Sequence, residues 1–103
     1  MQSLKVGQAY LIRTPHCCYT GRVKTVSFTD LVLGEAAYIP SHPVDDLYWE
    51  ALQTGQPRVV YPYPDEVIIP SAGIIDAVKW EHVLPRERRS EEVALDIDND
   101  IPF

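Results

Sequence analysis

Short apolar and β-branched runs alternate along the chain with Gly, Pro and Asp, a pattern that predicts β-strands separated by turns. In the run 19–28, Tyr19, Gly21 and Val23 share one face and Phe28 lies on the other, which is the two-residue period of a strand. The predicted strands are residues 9–14, 19–28, 30–39, 66–70 and 74–80. Five short strands in so few residues favour an all-β fold in the form of a small, strongly bent barrel.

One segment between the third and fourth strands, residues 41–56, has helical rather than strand periodicity. Ser41 is a suitable N-cap, Pro43 fits the first turn and Gly55 can end the helix. The apolar positions at helical spacing are Val44, Leu47, Tyr48, Ala51 and Leu52. We therefore expect a short amphipathic helix as an insert, followed by an extended return at 58–65 whose prolines exclude a helix or a central strand.

Charge divides the chain into a body and a tail. The 103 residues include nine Lys and Arg, all within residues 1–89, where ten acids leave a net charge of −1. Residues 90–103 contain five acids and no base. Since periodicity is also lost after the last strand, we predict a domain edge near Pro85, with a barrel at 1–85 and a flexible acidic tail at 86–103. A near-neutral body does not favour tight, nonspecific binding to nucleic acid.

The cysteines and histidines do not form a recognisable metal site. Cys17 and Cys18 are adjacent, so they cannot form an ordinary disulfide with each other or easily point at one metal from a strand. Besides His16, the chain contains only His42 and His82. We expect a hairpin turn with partly buried thiols, a surface position for His82 and no bound metal. Free thiols, with no signal peptide and no apolar run approaching about 18 residues, favour a cytoplasmic protein.

Two blocks of the body together resemble the Sm-like fold, the family of bacterial and archaeal Sm-like RNA-binding rings. The first covers residues 8–39, where a bent hairpin with Gly21 leads into the apolar strand "DLVLGEAA". The second is "VIIPSAGIIDAV", two short strands broken by a turn within residues 66–80. The resemblance implies a five-stranded Sm-like or SH3-like barrel that assembles into a ring, the fourth strand of one subunit pairing with the fifth strand of the next. Such pairing would cover the open edges of the sheet.

Departures from the family pattern fall on the positions that hold a uridine base in family members. Asp30 stands in place of an Asn, and Pro70 and Ser71 replace an Arg-Gly turn. Asp30 adds negative charge facing a phosphate chain, and Pro70 offers neither a cation nor an N–H group. These three residues form a candidate ligand pocket in which RNA, single-stranded DNA or a nucleotide is expected to bind weakly.

The last eight residues, "DIDNDIPF", place apolar side chains directly after an acidic run. They resemble the terminal peptide of bacterial single-stranded-DNA-binding protein. The matching residues are Asp98, Asp100, Ile101, Pro102 and Phe103. Asn99 replaces an acid, and the long Gly- and Gln-rich linker of that family is missing. In the family this tip binds DNA-maintenance enzymes, including exonucleases, helicases and recombination mediators, and the resemblance implies the same class of partners here.

The chemistry of the tip suits a docking peptide. Phe103 can fill an apolar pocket while its α-carboxylate meets a basic side chain, and Ile101 packs beside the ring. Pro102 restricts the backbone and lowers the ordering cost. The acids that steer the tip toward a basic rim are Asp96, Asp98 and Asp100. The alternative is an acidic end that only improves solubility, but Ile101 and Phe103 do not help solubility.

Two further segments each allow two interpretations. Tyr61, Tyr63 and Trp49 could stack on bases, although packing in the core or the insert is the commoner use of such residues. The basic run "PRERRS" at 85–90 could bind phosphate, although a solvated linker is commoner and Glu87 dilutes the charge.

These patterns lead to one expected function and two alternatives. The sequence contains no nucleophile elbow, no glycine-rich phosphate loop and no carboxylate pair with an evident partner, so we expect neither enzyme activity nor a cofactor. We expect a non-enzymatic adaptor or decoy that engages DNA replication and repair enzymes through its tip, a role that suits a phage or mobile element. The alternatives are an Sm-like ring that binds RNA, single-stranded DNA or a nucleotide, and a structural ring subunit of a larger assembly.

Overall fold

An antiparallel sheet and one helix make up the body of the protein. The computed structural model describes residues 4–40 and 46–90, and within these ranges it contains seven strands. The elements are β1 (Ala9–Arg13), β2 (Cys17–Val26), β3 (Asp30–Pro40), α1 (Asp46–Thr54), β4 (Val59–Pro62), β5 (Val67–Pro70), a 3₁₀ turn (Ser71–Gly73), β6 (Asp76–Lys79) and β7 (Arg89–Ser90). The prediction of an all-β fold with a short helical insert is confirmed.

The strands pair in the order β6-β1-β2-β3-β4-β7, and β5 pairs separately with β3. β3 reaches both β4 and β5 because it is eleven residues long. Its residues Asp30–Leu33 pair with β5, and Ala37 and Tyr38 pair with β4. Among the described strands, β5 and β6 do not pair with each other, so the sheet is open at both of these strands.

The sheet contains two strands more than the five predicted. β4 pairs on both sides, so the prediction that the prolines of 58–65 exclude a central strand is wrong. The pairing is staggered, because Val59 and Val60 pair with β7 whereas Tyr61 and Pro62 pair with β3. Each half of β4 therefore needs a partner on one side only, and the missing N–H of Pro62 falls at the end of the strand.

Gly21 lies where β2 and β3 approach each other closely. A Cβ atom at this position would lie 2.9 Å from the Cβ atom of Leu33 and 3.2 Å from the carbonyl oxygen of Gly34. The register between the two strands shifts at the same place, between Thr20 and Arg22. An irregularity of this kind bends a strand pair, and the bend lets β3 continue from β5 to β4.

Two apolar clusters lie on opposite faces of the sheet. Successive residues of β1 alternate between them, since Ala9 and Leu11 belong to one cluster and Tyr10 and Ile12 to the other. The helix-side cluster consists of Ala9, Leu11, Cys18, Ala37, Ile39, Tyr48, Ala51, Val60, Trp80 and Leu84. The cluster on the opposite face consists of Tyr10, Ile12, Val23, Leu31, Leu33, Ala36 and Ile69.

The helix α1 covers the helix-side cluster, as its periodicity predicts. Tyr48 and Ala51 are buried there, and Leu52 packs against them. The helix ends at Thr54, and Gly55 follows it with a φ of +72° and an N–H that donates to the carbonyl of Ala51 at 2.8 Å. The predicted positions that lie outside the described residues are Ser41, Pro43 and Val44. No helix in the described part of the chain is long and apolar enough to cross a membrane.

The chain stays on the sheet beyond the predicted domain edge near Pro85. Arg86 donates to the carbonyl oxygens of Ala36 at 3.0 Å and Tyr63 at 3.1 Å. β7 then pairs with β4. Residues 86–90 therefore belong to the body rather than to the tail, because side-chain and strand hydrogen bonds hold them. The rest of the predicted tail lies outside the described residues.

Candidate functional site

The predicted docking residues lie outside the described part of the chain. They are Asp96, Asp98, Asp100, Ile101, Pro102 and Phe103. The structure does give the place from which this segment continues, which is Ser90 in β7, opposite Val59 of β4.

The three residues of the candidate ligand pocket lie together across the β3–β5 pair. Asp30 is the register partner of Pro70, and the N–H of Ser71 donates to the carbonyl of Thr29 at 2.9 Å. The Asp30 carboxylate accepts a hydrogen bond from the Thr29 hydroxyl at 3.2 Å, and the Asp30 N–H donates to the Ser27 hydroxyl at 3.0 Å. The Ser71 hydroxyl oxygen is buried and has no hydrogen-bond partner among the described residues. Such a group is costly to bury unless a partner is supplied.

Cys17 and Cys18 begin β2 and are fully buried, so the prediction of partly buried thiols is wrong, whereas the predicted hairpin turn is present. The turn lies just before them, where the N–H of Thr14 donates to the carbonyl of Cys17 at 2.9 Å. Neighbouring strand residues face opposite sides of a sheet, and both sides of this sheet carry apolar clusters. Within residues 4–40 and 46–90, no group of three His, Cys, Asp or Glu side chains could hold a metal ion.

His82 is exposed, as predicted, but its ring is held in place. Its Nε2 atom lies 3.0 Å from the carbonyl oxygen of Leu52, and its ring meets the Trp80 ring edge-on at 5.1 Å. These contacts join the segment after β6 to the last turn of α1.

Four tyrosines form a series of ring contacts on the sheet that the sequence pattern did not predict. We call Tyr63, Tyr19, Tyr38 and Tyr61 the tyrosine row. In this order the successive ring centroids are 6.3, 6.1 and 6.1 Å apart. Tyr38 is the register partner of both Tyr19 and Tyr61, so three of the rings come from neighbouring strands at one level of the sheet. All four side chains are only partly buried.

Burial raises the pKa of two phenol groups of the row. Desolvation raises the pKa of Tyr63 and of Tyr19 above the usual value near 10, and a hydrogen bond with Cys17 raises the pKa of Tyr19 further. Like any tyrosine hydroxyl, both groups are protonated at neutral pH and can donate hydrogen bonds, and the shift extends this state to higher pH.

A basic segment runs beside the tyrosine row. We call residues 86–90 the arginine strap. Arg86 donates to the Tyr63 carbonyl, and the guanidinium carbon of Arg88 lies 5.3 Å from the centre of the Tyr61 ring. The strap therefore contacts both Tyr63 and Tyr61. Its residues are all exposed, as the prediction of a solvated segment requires, but they are held against the sheet rather than forming a free linker.

The cations of the strap have no carboxylate partner among the described residues. Arg86 and Arg89 donate to carbonyl groups, and Arg88 lies over a ring. The ion pairs in this part of the chain are Arg13–Asp76, Arg22–Glu35 and Arg58–Glu50. The cations of the strap therefore form no ion pair within the described residues, although carboxylates, including Glu87 of the strap itself, line the same cavities.

Trp49 lies away from this surface, on α1, where its side chain is 55% exposed and its ring contacts Tyr48 edge-on at 5.0 Å. Tyr61 and Tyr63, in contrast, pack on other tyrosines. Of the two predicted uses, packing and base stacking, packing is the commoner, and Tyr61 and Tyr63 pack on other tyrosines while staying partly exposed.

A groove of about 740 Å³ lies between the end of α1 and residues 81–89. Its charged lining has both signs, with Glu81 and Glu87 beside Arg86 and Arg89. A lining of mixed charge favours neither anionic nor cationic ligands.

No protein-family model matches this chain, and neither a curated protein nor a solved structure matches it.

Proposed function

We propose that the protein is a non-enzymatic, cytoplasmic adaptor or decoy that engages DNA replication and repair enzymes through residues 96–103. The observation that carries the proposal is the run Asp-Ile-Pro-Phe at 100–103, which follows alternating acids as in the terminal peptide of single-stranded-DNA-binding protein. An aromatic ring next to a restricted proline backbone can enter a pocket at low ordering cost. The proposed partners are the exonucleases, helicases and recombination mediators that bind this type of tip.

The anchored end of the body supports such a display role. The arginine strap and β7 hold the chain up to Ser90. The residues that follow, 91–103, can span at most about 45 Å when fully extended. This length is enough for the tip to reach a pocket on another protein while the body stays clear of the contact.

The body is proposed to have the Sm-like fold and to assemble into a ring. The five strands predicted from the sequence pair in the order β6-β1-β2-β3-β5, which puts the fourth and fifth of them at the two edges. A ring in which the fourth predicted strand of one copy pairs with the fifth of the next requires both strands to lie at edges of the sheet. The N–H of Ser71 donates to the carbonyl of Thr29 across the β3–β5 pair. Neighbouring residues of a strand direct their backbone groups to opposite sides, so the nitrogen of Pro70 faces the open edge. The missing N–H of Pro70 therefore costs no hydrogen bond with β3.

The two edges carry complementary side chains. Ile68 in β5 is 65% exposed, and Ile75, directly before β6, is 54% exposed. Exposed Asp65 and Glu66 precede β5, whereas exposed Lys79 ends β6. Pairing β5 with β6 of a second copy would cover both isoleucines and bring opposite charges together.

The adaptor proposal is tested by comparing the full chain with a chain that lacks residues 100–103. Both are used as bait in nuclease-treated bacterial lysate, and captured proteins are identified, purified and titrated individually. We expect tip-binding DNA-maintenance enzymes to bind the full chain only. Equal binding of the same purified enzymes to both chains would rule out docking through the tip.

A second candidate function is ligand binding at the Asp30, Pro70 and Ser71 site. The observation that favours it is the buried Ser71 hydroxyl, which has no hydrogen-bond partner among the described residues and follows Pro70, the register partner of Asp30. A nucleotide or the end of an RNA or single-stranded DNA could supply the missing hydrogen bond. Calorimetric titration with uridine monophosphate should give weak binding that Ser71→Ala abolishes and that deletion of 100–103 leaves unchanged.

A further inference from the structure

The groove between the end of α1 and residues 81–89 has an apolar wall that the described residues leave uncovered. Val83 lines the groove and is 88% exposed, and Pro57 and Pro85 line it as well. The groove measures about 740 Å³, a volume that can hold several side chains. Apolar surface inside a groove, unlike a single exposed apolar side chain, marks a contact site.

The chain itself leads from β7 toward this groove. Ser90, the last residue of β7, pairs with Val59 of β4. Because the two strands are antiparallel, each further step beyond Ser90 moves one step back from Val59. Continued at the same register, residues 92–95 come opposite residues 54–57, all four of which line the groove.

Alternation places apolar residues of this continuation on the groove side. Arg89 and its register partner Val60 both line the groove, and Val60 belongs to the helix-side cluster. Side chains of an extended chain alternate between faces, so positions 91, 93 and 95 share the face of Arg89. The residues at these positions are Glu91, Val93 and Leu95, and those on the opposite face are Glu92 and Ala94.

We propose that residues 91–95 of this chain occupy the groove, with Val93 and Leu95 packed against Val83. Pro57 has no N–H, so packing of side chains rather than a ladder of hydrogen bonds holds the segment there. The contact stands whether or not the tip docks on another protein. It shortens the free part of the chain to residues 96–103, which can reach at most about 29 Å.

The charges beside the groove suit this segment. Glu91 comes opposite Arg58 in the continued register and shares its face with Arg89. Arg58 lies on the helix side, because its Nε atom donates to the Glu50 carboxylate of α1 at 2.7 Å. The acid on the groove face therefore lies near two cations, and the other acid of the segment, Glu92, points to solvent.

The carboxylates of the groove argue against the acidic tip as its occupant. Glu81 and Glu87 line the groove, and residues 96–100 have an acid at every second position. In an extended chain these acids share one face, so the face that carries them would meet like charges. Residues 91–95 instead present two apolar side chains on the groove face.

Thiol accessibility in the full chain tests the contact. Positions 92–95 are replaced by Cys one at a time, and alkylation is followed by peptide mass spectrometry, which separates the new thiol from the buried Cys17 and Cys18. Each rate is divided by the rate in denaturing urea, which corrects for intrinsic reactivity. Val93→Cys and Leu95→Cys should react at least about tenfold more slowly than Glu92→Cys and Ala94→Cys, because burial of one apolar side chain favours the bound segment by such a factor.

A second substitution identifies the groove. Val83→Asp places a charge on the apolar wall and should remove the difference between the slow and the fast thiols. The exposed position of Val83 leaves the core intact, and circular dichroism verifies the fold. Val6→Asp is the matched control, because Val6 is 67% exposed and is not part of the groove lining, and it should leave the difference in place.

Four results would overturn the proposal. Equal rates at all four positions would mean that the segment does not bind, and slow thiols at 92 and 94 would put the opposite face against the body. An unchanged pattern in Val83→Asp would exclude this groove, and slow thiols that become fast on dilution would assign the contact to a second copy. Deletion of 100–103 should leave the pattern unchanged, so failure of this proposal and failure of the tip proposal are distinguishable.

Discussion

The imidazole ring of His82 occupies the space that a side chain at Gly55 would need. This contact, with the hydrogen bond from the His82 ring to Leu52, fastens the end of α1 to the segment that leads into the arginine strap. Two features therefore require glycine at position 55: the close approach of the His82 ring and the positive φ of the backbone.

Replacing Gly55 by Ala should destabilise the protein strongly. The left-handed backbone costs an alanine about 1–2 kcal/mol, and displacing the His82 ring adds a cost of about 1–3 kcal/mol. Urea unfolding should show a lower midpoint. Gly73→Ala is the control, because nothing lies within 4 Å of a Cβ atom there, and it should change stability by less than about 0.5 kcal/mol. Similar losses of stability for Gly55→Ala and Gly73→Ala would contradict the close approach of the His82 ring to Gly55.

Stability should fall as the pH rises above about 10. The pKa of Tyr63 is raised in the folded protein by desolvation, so the folded state keeps a proton that the unfolded state has lost. The stability that this group contributes is fully present below the unfolded pKa and disappears as pH rises through the folded pKa. Denaturant unfolding across this range should show a smaller pH dependence for Tyr63→Phe than for wild type. An unchanged pH dependence would mean that Tyr63 is not desolvated.

The protein should elute as a closed oligomer if β5 of one copy pairs with β6 of the next. Ile68→Lys places a charge on the exposed edge and should lower the mass measured by light scattering. Val83→Lys is the matched control, because Val83 is 88% exposed and lines the groove between the end of α1 and residues 81–89. A wild-type monomer at high micromolar concentration would exclude the ring.

Uridine-rich RNA should bind weakly and with steep salt sensitivity, because Asp30 repels phosphate and Pro70 supplies no cation. Asp30→Asn removes the repulsion and should strengthen binding of oligouridine in low salt. Tight, salt-tolerant binding by the wild-type chain would show that these two positions do not control the site.

Phe103→Ala should weaken binding to a purified tip-binding exonuclease or helicase by about ten- to a hundredfold. A fully buried Phe side chain contributes roughly 1.5–3 kcal/mol, which corresponds to this range. Adding one residue after Phe103 moves the carboxylate and should cost a similar amount. Neutralising Asp98 and Asp100 should mainly slow association, and less so in high salt. If the chain with one residue added after Phe103 binds with unchanged affinity, the terminal carboxylate does not take part in docking.

The sequence alone located most of the secondary structure. Strand and helix periodicity are local properties, so the five predicted strands and the helix that ends before Gly55 were found at or near their positions. The resemblance to the Sm-like family implies one pocket for Asp30 and Pro70, and the two residues are register partners in the β3–β5 pair. The prediction of a docking segment at 96–103 rests only on the sequence of those residues, and it remains a prediction.

The tertiary structure decided which residues meet. The tyrosine row exists because Tyr38 is opposite both Tyr19 and Tyr61, and no local pattern specifies a partner that far along the chain. The same reason applies to the arginine strap, whose side chains reach carbonyl groups of distant segments, and to Cys17 and Cys18, whose burial depends on clusters covering both faces of the sheet. Local sequence sets the conformation of a segment, whereas burial and contact depend on register and packing between segments, which only the folded chain fixes.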